Sequence, residues 1–509
     1  MYANVLTASL YGLEAEISRV ELDSESGLPN FTVVGLANQS IKEARDRIRS
    51  AVMNCGYSFP PCRITVNLMP AGRRKKGSHY DLAIALGLLM CTGQLALQGD
   101  IPACFGELSL DGGVRGVEGL LPMMTGLKKQ GVGRFLVPAE NLAEARLVKG
   151  AVITAVESLS EAADHLSGFK TLPEITADGS VPASEGRSVP DFRDIRGQEA
   201  VKRAAQLAAA GRHGLLMIGP PGIGKSMVGK RIPGIMPPMS YDEMLDVTRI
   251  YSVAGELKAG RSMVTERPFR APHHSLSPAS LVGGGSWPRP GEISLAHCGV
   301  LFLDELPEFS AHTLDNLRQP REEGEVSIIR VSERCVYPSD FMLVAAMNPC
   351  RCGWYGDPVK KCSCSESDRK RYVSRVSGPL LDRIDIHVVM ERIVYEQLDI
   401  GGGASPVDSA ALRAGVERAE AVQRERFKGK ELCRNGRLSP DQIRKYCALD
   451  AECGEIMKLA YARLNLSARS YHRVLRVART AADIEGSENI RPEHLLEALS
   501  YRIPEKYFS

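Results

Sequence analysis

The chain has 509 residues, too many for a single hydrophobic core, which predicts about two to four domains. Its hydrophobic share of 44% and charged share of 25% are ordinary for a soluble globular protein. The net charge of +3 excludes a chain-wide electrostatic field as the means of attracting a partner, so any surface for nucleic acid must be local.

The sequence favours a cytoplasmic location. The opening residues, Met1–Ala15, lack the basic start and apolar run of a secretory signal. The most apolar stretch, Leu82–Leu97, is interrupted by Gly87, Gly93 and Gln94 and falls short of a membrane-spanning helix. The 13 cysteines are an odd number scattered through a long chain, which fits reduced thiols better than a disulfide framework. We therefore expect a cytoplasmic protein with no membrane partner.

Two stretches are predicted to be linkers. Residues 171–190 are rich in Pro, Gly, Ser and acidic residues, and residues 401–408 read GGGASPVD. They divide the chain into an N-terminal block (1–170), a central block (191–400) and a C-terminal block (409–509). No repeat of fixed period is present.

The N-terminal block is predicted to be an α/β domain, because strand-like and helix-like runs alternate in it. The strand-like runs are Phe31–Val34, Ile64–Leu68, Phe135–Val137 and Val152–Val156, and the helix-like runs are Ile41–Met53, Tyr80–Met90 and Met123–Lys129. The C-terminal block is predicted to be mostly helical. Apolar residues recur there at three- and four-residue spacing, with basic residues between them, in Ala410–Phe427 and Tyr471–Ile484.

A phosphate-binding loop is predicted directly after the apolar run Leu215–Ile218. The loop matches G-x-x-x-x-G-K-[ST], with a strand before it and a helix after it, and consists of Gly219, Pro220, Pro221, Gly222, Ile223, Gly224, Lys225 and Ser226. Its glycines allow backbone N–H groups to close around phosphate oxygens, and the positive end of the new helix faces the same anion. Lys225 is expected to reach the β- and γ-phosphates of ATP, and Ser226 to place its hydroxyl on Mg²⁺.

Polar side chains follow two more predicted strands. Val300–Leu303 ends in Asp304 and Glu305; we expect Asp304 to hold Mg²⁺ through water and Glu305 to orient or activate the attacking water. An apolar run ending in two acids is often only a strand end, but behind a phosphate-binding loop it predicts the hydrolytic part of the site. Phe341–Met347 ends in Asn348, which either positions the attacking water or is a turn residue before a proline.

Two arginines are further candidates. Arg383 follows a helical run, and an arginine supplied by a neighbouring subunit stabilises charge on a transferring phosphoryl group. The alternative for Arg383 is a surface salt bridge with Asp382 or Asp385. Arg469 opens an arginine-bearing helix in the C-terminal block and could contact the nucleotide from a lid.

Four cysteines follow Asn348 closely, in the pattern C-x-C, nine residues, C-x-C. They are Cys350, Cys352, Cys362 and Cys364. Four thiolates are what a tetrahedral structural Zn²⁺ needs, although a one-residue gap is less usual than a two-residue gap. The two interpretations are a structural zinc site and reduced free thiols.

Five longer motifs lie in the central block: Ala271–Ser275, Gly283–Gly285, Pro290–His297, Leu301–Phe309 and Leu317–Pro320. With them the chain resembles the magnesium-chelatase-like AAA+ proteins, and within that group the YifB/ComM branch, over all three blocks. The resemblance implies a P-loop AAA+ core with a parallel sheet and a C-terminal α-helical lid.

The resemblance also implies roles for three residues: Asn348 as sensor 1, Arg383 as the arginine finger and Arg469 as sensor 2. It implies a homo-oligomeric ring, a hexamer, because finger and nucleotide lie on different subunits. ComM-type members are implicated in branch migration and helicase work on DNA during natural transformation. One departure is Arg351, which stands where the family's Asn-Pro-Cys-Pro-Cys-Gly has its second proline.

The N-terminal block resembles the ribosomal-S5-like fold of Lon-type proteases, through Gly106–Gly112 and Val137–Asn141. Proteolysis of that type needs a serine activated by a lysine. Ser78 falls near the place of the serine, but Leu121 takes the place of the lysine. We therefore expect a non-proteolytic relative.

Three regions are candidates for contact with DNA. Lys and Arg outnumber Asp and Glu in residues 411–480, which indicates either a DNA surface or a solvated helical face. The resemblance implies that two insertions in the motor face a central pore. One, 324–338, carries Arg330 and Arg334 as candidates for gripping phosphates. The other, 269–290, carries Trp287 and two histidines, His273 and His274, which are alternatively turn residues.

The residues predict an ATP-driven motor, and the resemblance implies that it works as a ring on DNA, as a translocase or branch-migration helicase. One rival is a chelatase-type motor for metal insertion. The N-terminal block argues against it, because the resemblance implies that chelatase motor subunits lack such a block. A second is an ATP-dependent protein remodeller or protease, which Leu121 disfavours. A third is a nucleotide-gated scaffold, which has no need for Lys225, Glu305 and Arg383 together.

Overall fold

The computed structural model describes residues 1–38, 41, 43–179, 189–257, 263–285, 288–330, 333–392, 407–428 and 434–502, without the side chains of residues 330 and 333. Most of the two predicted linkers, namely residues 180–188 and 401–406, lies outside this part. Trp287 also lies outside it.

The chain opens with a four-stranded sheet that the sequence patterns only half predicted. Its strands are β1 (Tyr2–Tyr11), β2 (Glu14–Glu25), β3 (Asn30–Val34) and β4 (Arg63–Met69), in the order β1-β2-β4-β3. The β1–β2 hairpin was not predicted. Helices α1 (Ala44–Asn54) and α2 (Tyr80–Cys91) share an apolar core with this sheet. Nearly every residue of α2 is buried, so its apolar composition reflects a helix enclosed by protein.

A second sheet completes the N-terminal block, with two short strands and three helices beside it. The sheet order is β10-β9-β8-β5, and in chain order the elements are β5 (Ala103–Cys104), β6 (Glu107–Leu108), β7 (Val114–Arg115), α3 (Leu120–Lys129), β8 (Arg134–Pro138), α4 (Leu142–Ala145), β9 (Val152–Val156), α5 (Leu159–Leu166) and β10 (Glu174–Thr176). Strand β10 lies within the segment that we expected to be a linker. It pairs antiparallel with β9, so main-chain hydrogen bonds order a segment that has no apolar periodicity.

The central block is built on a five-stranded sheet whose strands are all parallel. The strands are β11 (Leu215–Ile218), β12 (Phe269–Arg270), β15 (Val300–Leu303), β18 (Met342–Met347) and β19 (Ile386–Val389), in the order β12-β15-β18-β11-β19. Helices α6 (Glu199–Gly211), α7 (Lys225–Ile235) and α8 (Tyr241–Ala254) precede β12. The parallel sheet confirms the predicted fold class, and its three buried inner strands match the predicted runs.

Short elements lie between the strands of the central sheet, some of them in the two predicted insertions. They are α9 (Pro278–Val282), β13 (Gly283–Gly284), β14 (Arg289–Pro290), α10 (Glu292–Leu295), α11 (Ala311–Asp315), α12 (Arg318–Glu323), β16 (Glu325–Arg330), β17 (Glu333–Pro338), α13 (Glu366–Val373) and α14 (Gly378–Leu381). Strands β16 and β17 pair antiparallel as a hairpin in the second predicted insertion.

The C-terminal block is helical, as expected. Its helices are α15 (Ser409–Arg426), α16 (Pro440–Tyr446), α17 (Ala451–Arg463), α18 (Ala468–Glu485) and α19 (Pro492–Ser500). Leu412, Val416 and Leu475 share one apolar core with residues of α6 and of the central sheet, so the lid is packed onto the motor. Among the helices of the described residues, none is long and apolar enough to cross a membrane.

Candidate nucleotide site

The loop between β11 and α7 has the backbone that a phosphate-binding loop requires. Gly222 has φ +79° and Gly224 has φ +94°, in the left-handed region that glycine adopts without steric cost. Helix α7 begins at Lys225, directly after the second of these glycines. The loop therefore presents a helix N-terminus at the carboxyl end of a buried parallel strand, which is where anions bind in sheets of this kind.

Lys225 lies at the centre of the site. Its ammonium donates hydrogen bonds to the backbone oxygens of Gly219 (2.7 Å) and Pro220 (2.8 Å) and to Asn348 Oδ1 (2.9 Å). Burial lowers the pKa of Lys225 to about 8, against the opposing effect of the carboxylates of Asp304 and Glu305. A desolvated ammonium held only by neutral oxygens is suited to receive phosphate charge.

Ser226 and Asp304 meet as the predicted Mg²⁺ site requires. The Ser226 hydroxyl donates to Asp304 Oδ2 at 2.6 Å, and Asp304 Oδ1 accepts from the backbone N–H of Glu305 at 3.0 Å. A hydroxyl and a carboxylate are oxygen ligands of the kind that Mg²⁺ prefers, and Mg²⁺ commonly takes one or two such protein ligands beside substrate phosphates. These residues therefore fit a magnesium ion.

Glu305, two residues after the end of β15, has a left-handed backbone conformation. Its φ is +52°, uncommon for a residue other than glycine, and its side chain is 57% exposed. Glu305 Oε2 lies 3.7 Å from His274 Nδ1, and the ring of His274 lies 4.0 Å from that of His273. His274 thus belongs to the site, a contact that the sequence did not reveal because the two residues are on different strand-end loops.

Arg383 is engaged away from its own phosphate-binding loop. It contacts Glu322 Oε1 at 2.7 Å and the backbone oxygen of Pro379 at 2.8 Å. The alternative partner Asp385 instead lies 3.3 Å from Arg321 and 3.6 Å from His213. Burial by itself would raise the pKa of Asp385. The neighbouring side chains of His213 and Arg321 outweigh burial and hold this pKa well below its usual range.

The C-terminal block contacts the backbone around Arg383 through Arg473. Arg469 is exposed in the first turn of α18. Arg473, one turn later, donates to the backbone oxygens of Leu381 (3.1 Å) and Ile384 (2.8 Å) on either side of Arg383. Sequence reasoning missed Arg473; its position four residues after Arg469 on the same helix face was the available signal.

The structure brings the four cysteines of the C-x-C pairs together. Their Sγ atoms all lie within 4.8 Å of one another, and these are Cys350, Cys352, Cys362 and Cys364. Cys350 is buried and the other three are half-buried. A convergent set of four thiols is the donor set of a structural zinc site, so the residues fit the metal.

The N-terminal block places Ser78 beside a carboxylate. Its hydroxyl donates to Glu107, and both residues line a cavity of about 420 Å³ shared with the motor. Leu121 is fully buried in the apolar core. His79 also lines the cavity, but its ring bonds the backbone oxygen of Ala8 at 2.9 Å, and burial lowers its pKa to about 4. The absence of proteolytic activity stays a prediction.

The candidate DNA contacts are only partly described. Arg334 is exposed on β17 and lies 3.3 Å from Ser327 Oγ, whereas the side chain of Arg330 lies outside the described part. In residues 411–480 several arginines are used internally. Arg426, for example, bonds Asp483 and Asn435, and Arg479 bonds Asp483 at 3.0 Å. The local basic surplus is therefore partly structural.

Three family models match the chain, one for each block. The model for magnesium chelatase, subunit ChlI, matches residues 191–398. The model for subunit ChlI of Mg-chelatase matches residues 20–141, and the model for the ChlI C-terminal region matches residues 406–502. Together they cover most of the described structure.

Curated relatives match over nearly the whole length. The competence protein ComM of Haemophilus influenzae is 40% identical over 508 residues, covering 98% of this chain and 97% of that protein. Protein YifB of Salmonella typhimurium is 40% identical with the same coverage of both chains, and YifB of Escherichia coli is 40% identical with 98% and 96% covered. With this identity, these family matches and a parallel P-loop sheet, the chain belongs to the YifB/ComM branch of the magnesium-chelatase-like AAA+ proteins.

Proposed function

We propose that the chain is the subunit of an ATP-hydrolysing ring, a hexamer, that moves on DNA as a translocase or branch-migration helicase. The observation that carries the ATPase part is the assembly of Lys225, Ser226, Asp304 and Asn348 at the carboxyl edge of one sheet. Glu305 follows at the same edge with an exposed carboxylate, where it would orient the attacking water.

The geometry of Arg383 supports a ring. Its contacts are with Glu322 and Pro379 rather than with its own phosphate-binding loop. An arginine that stabilises a transferring phosphoryl group must reach the γ-phosphate, so Arg383 is suited to serve the neighbouring subunit. The hairpin formed by β16 and β17, with the exposed Arg334, is the proposed grip on the DNA backbone.

Support for DNA as the track comes from relatives. One relative, 40% identical over its length, carries the name competence protein, and competence is the uptake of DNA by a cell. The alternative function, a motor for metal insertion, is supported by the names of the family models. We favour DNA because the competence protein matches this chain as one protein over nearly the whole length of both, whereas the chelatase names belong to three separate models of its blocks.

The proposal includes two metal ions beside ATP. Mg²⁺ would be held by Ser226 and Asp304 and would neutralise phosphate charge. A structural Zn²⁺ would be held by the four clustered thiols of Cys350, Cys352, Cys362 and Cys364.

Steady-state ATP hydrolysis tests the function. We would measure it without DNA, with single-stranded DNA and with a four-way junction, using Glu305→Gln as the control. We expect DNA to stimulate hydrolysis and the control to lose it, because the amide cannot act as a base. Hydrolysis that is insensitive to every DNA would reject DNA as the track and leave the ATPase assignment standing. Hydrolysis that persists in the control would reject the assigned site.

A further inference from the structure

The four-cysteine cluster has the dimensions of a zinc-thiolate site. The Sγ–Sγ distance is 3.4 Å for Cys350 and Cys352, and 3.6 Å from Cys362 to each of them. Four thiolates at a Zn–S bond length of about 2.3 Å stand about 3.8 Å apart at the corners of a tetrahedron. A disulfide would bring two sulfurs to about 2.0 Å, and none of these pairs is that close. The four sulfurs therefore converge on a shared centre instead of pairing.

The chain that carries these ligands lacks regular secondary structure. Residues 348–365, all of them described, contain no strand and no helix between β18 and α13. Such a segment has few main-chain hydrogen bonds to hold its shape, so four bonds to one metal would be a major restraint on it.

This segment lies against the phosphate-binding loop. Gly353, next to the ligand Cys352, is so close to Pro221 that a Cβ at Gly353 would lie 2.7 Å from Pro221 Cδ. Gly353 is buried and has φ +85°, so it meets the loop through its backbone. The contact leaves no space for a larger residue.

The segment is also connected to Lys225 of the phosphate-binding loop. Only Pro349 separates the fully buried ligand Cys350 from Asn348, which accepts the hydrogen bond of Lys225 at 2.9 Å. The preceding residue, Met347, accepts from the backbone N–H of Gly219, the first residue of the phosphate-binding loop, at 3.2 Å. Movement of Cys350 would therefore displace groups that contact Gly219 at the start of the phosphate-binding loop and Lys225 near its end.

Aromatic and ionic contacts fasten the other side of the segment. Arg392 lies 5.2 Å from the centre of the Trp354 ring and 3.2 Å from Asp357. Arg392 stands just beyond β19, where Met390 donates to the backbone oxygen of Ile218 at 2.7 Å. The cluster is thus tied to both strands that flank β11, the strand that leads into the phosphate-binding loop.

We infer that a Zn²⁺ ion bound by the four cysteines holds residues 350–364 against Pro221 and beside Asn348, and that its occupancy controls nucleotide affinity. On binding, four thiols lose four protons and one Zn²⁺ enters. This inference rests on the proposed nucleotide site but not on DNA as the track.

The first arm of the test is metal content and nucleotide affinity in the full-length protein. Protein purified without chelator contains one zinc per chain, whereas Cys362→Ser with Cys364→Ser loses it and Cys62→Ser, at a half-buried cysteine of the N-terminal block, keeps it. Removing zinc with a zinc-selective chelator, in excess Mg²⁺, raises the Kd for Mg²⁺·ADP by about tenfold or more, since small displacements of positioning groups have effects of this size.

The second arm uses Gly353→Ala, which keeps all four thiols and pushes on Pro221. It retains zinc and still weakens Mg²⁺·ADP binding, while the matched control Gly56→Ala, at φ +83° in open space, leaves binding unchanged. Far-UV circular dichroism checks that each variant is folded. Unmodified protein without zinc, or ADP affinity that does not change when zinc is removed, overturns the inference. Protein that binds ADP with zinc-dependent affinity but ignores DNA supports it while rejecting the proposed track.

Discussion

The amide oxygen of Asn348 accepts a hydrogen bond from the Lys225 ammonium at 2.9 Å, across the neighbouring strands β18 and β11. This contact places a neutral polar group beside the cation that is expected to bind phosphate. Under the proposed function, the amide would also lie near the γ-phosphate, where an attacking water must be held. One pair of side chains would then serve both nucleotide binding and hydrolysis.

Replacing Asn348 by Ala is therefore expected to separate the two steps. Hydrolysis should fall by about 100-fold, as for loss of one positioned polar group in an active site, with Mg²⁺·ADP affinity changed by less than about threefold. Turnover and equilibrium binding measured on the same preparation check this. Asn54→Ala, which removes an exposed amide from the N-terminal block, is the control. Equal losses in turnover and affinity would mean that Asn348 serves only to shape the loop.

The lowered pKa of Lys225 predicts a pH dependence of ATP binding. The ammonium titrates at about 8 in the folded chain instead of 10.5. Above about pH 8 the lysine must regain a proton to bind phosphate, so Mg²⁺·ATP affinity should fall by up to about tenfold per pH unit. Lys225→Arg should bind with an affinity that is flat over this range because guanidinium does not titrate there. A wild-type profile as flat as that of the arginine variant contradicts the prediction.

The same shift has a consequence for stability. Between about pH 8 and pH 10.5 the unfolded chain binds more protons at this residue than the folded chain does. The contribution of Lys225 to the free energy of unfolding therefore rises with pH across this window. Denaturant unfolding of wild type and Lys225→Met across the window checks the sign. The free energy of unfolding of wild type minus that of Lys225→Met should increase with pH, and a signed difference that decreases would show that another group dominates.

Contact with His274 is expected to hold the carboxylate of Glu305. His274→Ala should slow hydrolysis by about tenfold, less than the loss from Glu305→Gln, because the base is retained but its orientation is freed. Turnover at saturating ATP is the measurement. His312→Ala, on the exposed face of α11, is the matched control. If His274→Ala and His312→Ala behave alike, the 3.7 Å approach to Glu305 has no role in hydrolysis.

Mixing two inactive variants tests whether Arg383 serves a neighbour. Arg383→Ala and Glu305→Gln should each be inactive alone. A mixed ring contains sites with an intact Glu305 beside a subunit with an intact Arg383, so hydrolysis should return on mixing. Mixtures that stay inactive, although the subunits are shown to co-assemble, would place Arg383 in its own subunit's site or in structure.

The hairpin arginines should contribute salt-dependent DNA binding. Changing Arg330 and Arg334 to Ala should weaken binding while basal ATP hydrolysis survives. Each lost phosphate contact should lower the slope of log affinity against log salt by about 0.9 on double-stranded DNA. Arg134→Ala with Lys170→Ala, which removes two exposed cations of the N-terminal block, each in a surface ion pair, is the control for net charge. An unchanged slope in the hairpin variant would exclude these arginines as phosphate contacts.

Local pattern alone located most of the motor. The short runs Leu215–Ile218 and Val300–Leu303 are buried strands with the predicted bounds, because a strand covered on both faces must be apolar throughout. The hairpin of β1 and β2 escaped prediction because its residues are buried in a mixed pattern along each strand. The strand Glu174–Thr176 escaped because an edge strand can form through its main chain alone.

The sequence by itself determined the chemistry of the chain: which residues form the phosphate-binding loop, which carboxylates follow a strand, and which four thiols are near in sequence. Those assignments depend on residue type and short spacing. Only the tertiary structure decided that Asn348 meets Lys225, that His274 approaches Glu305, that Arg383 pairs with Glu322, and that Gly353 rests on Pro221. Each of these pairs is distant in sequence, and such contacts depend on sheet order and on how loops fold back over the sheet, which no local pattern encodes.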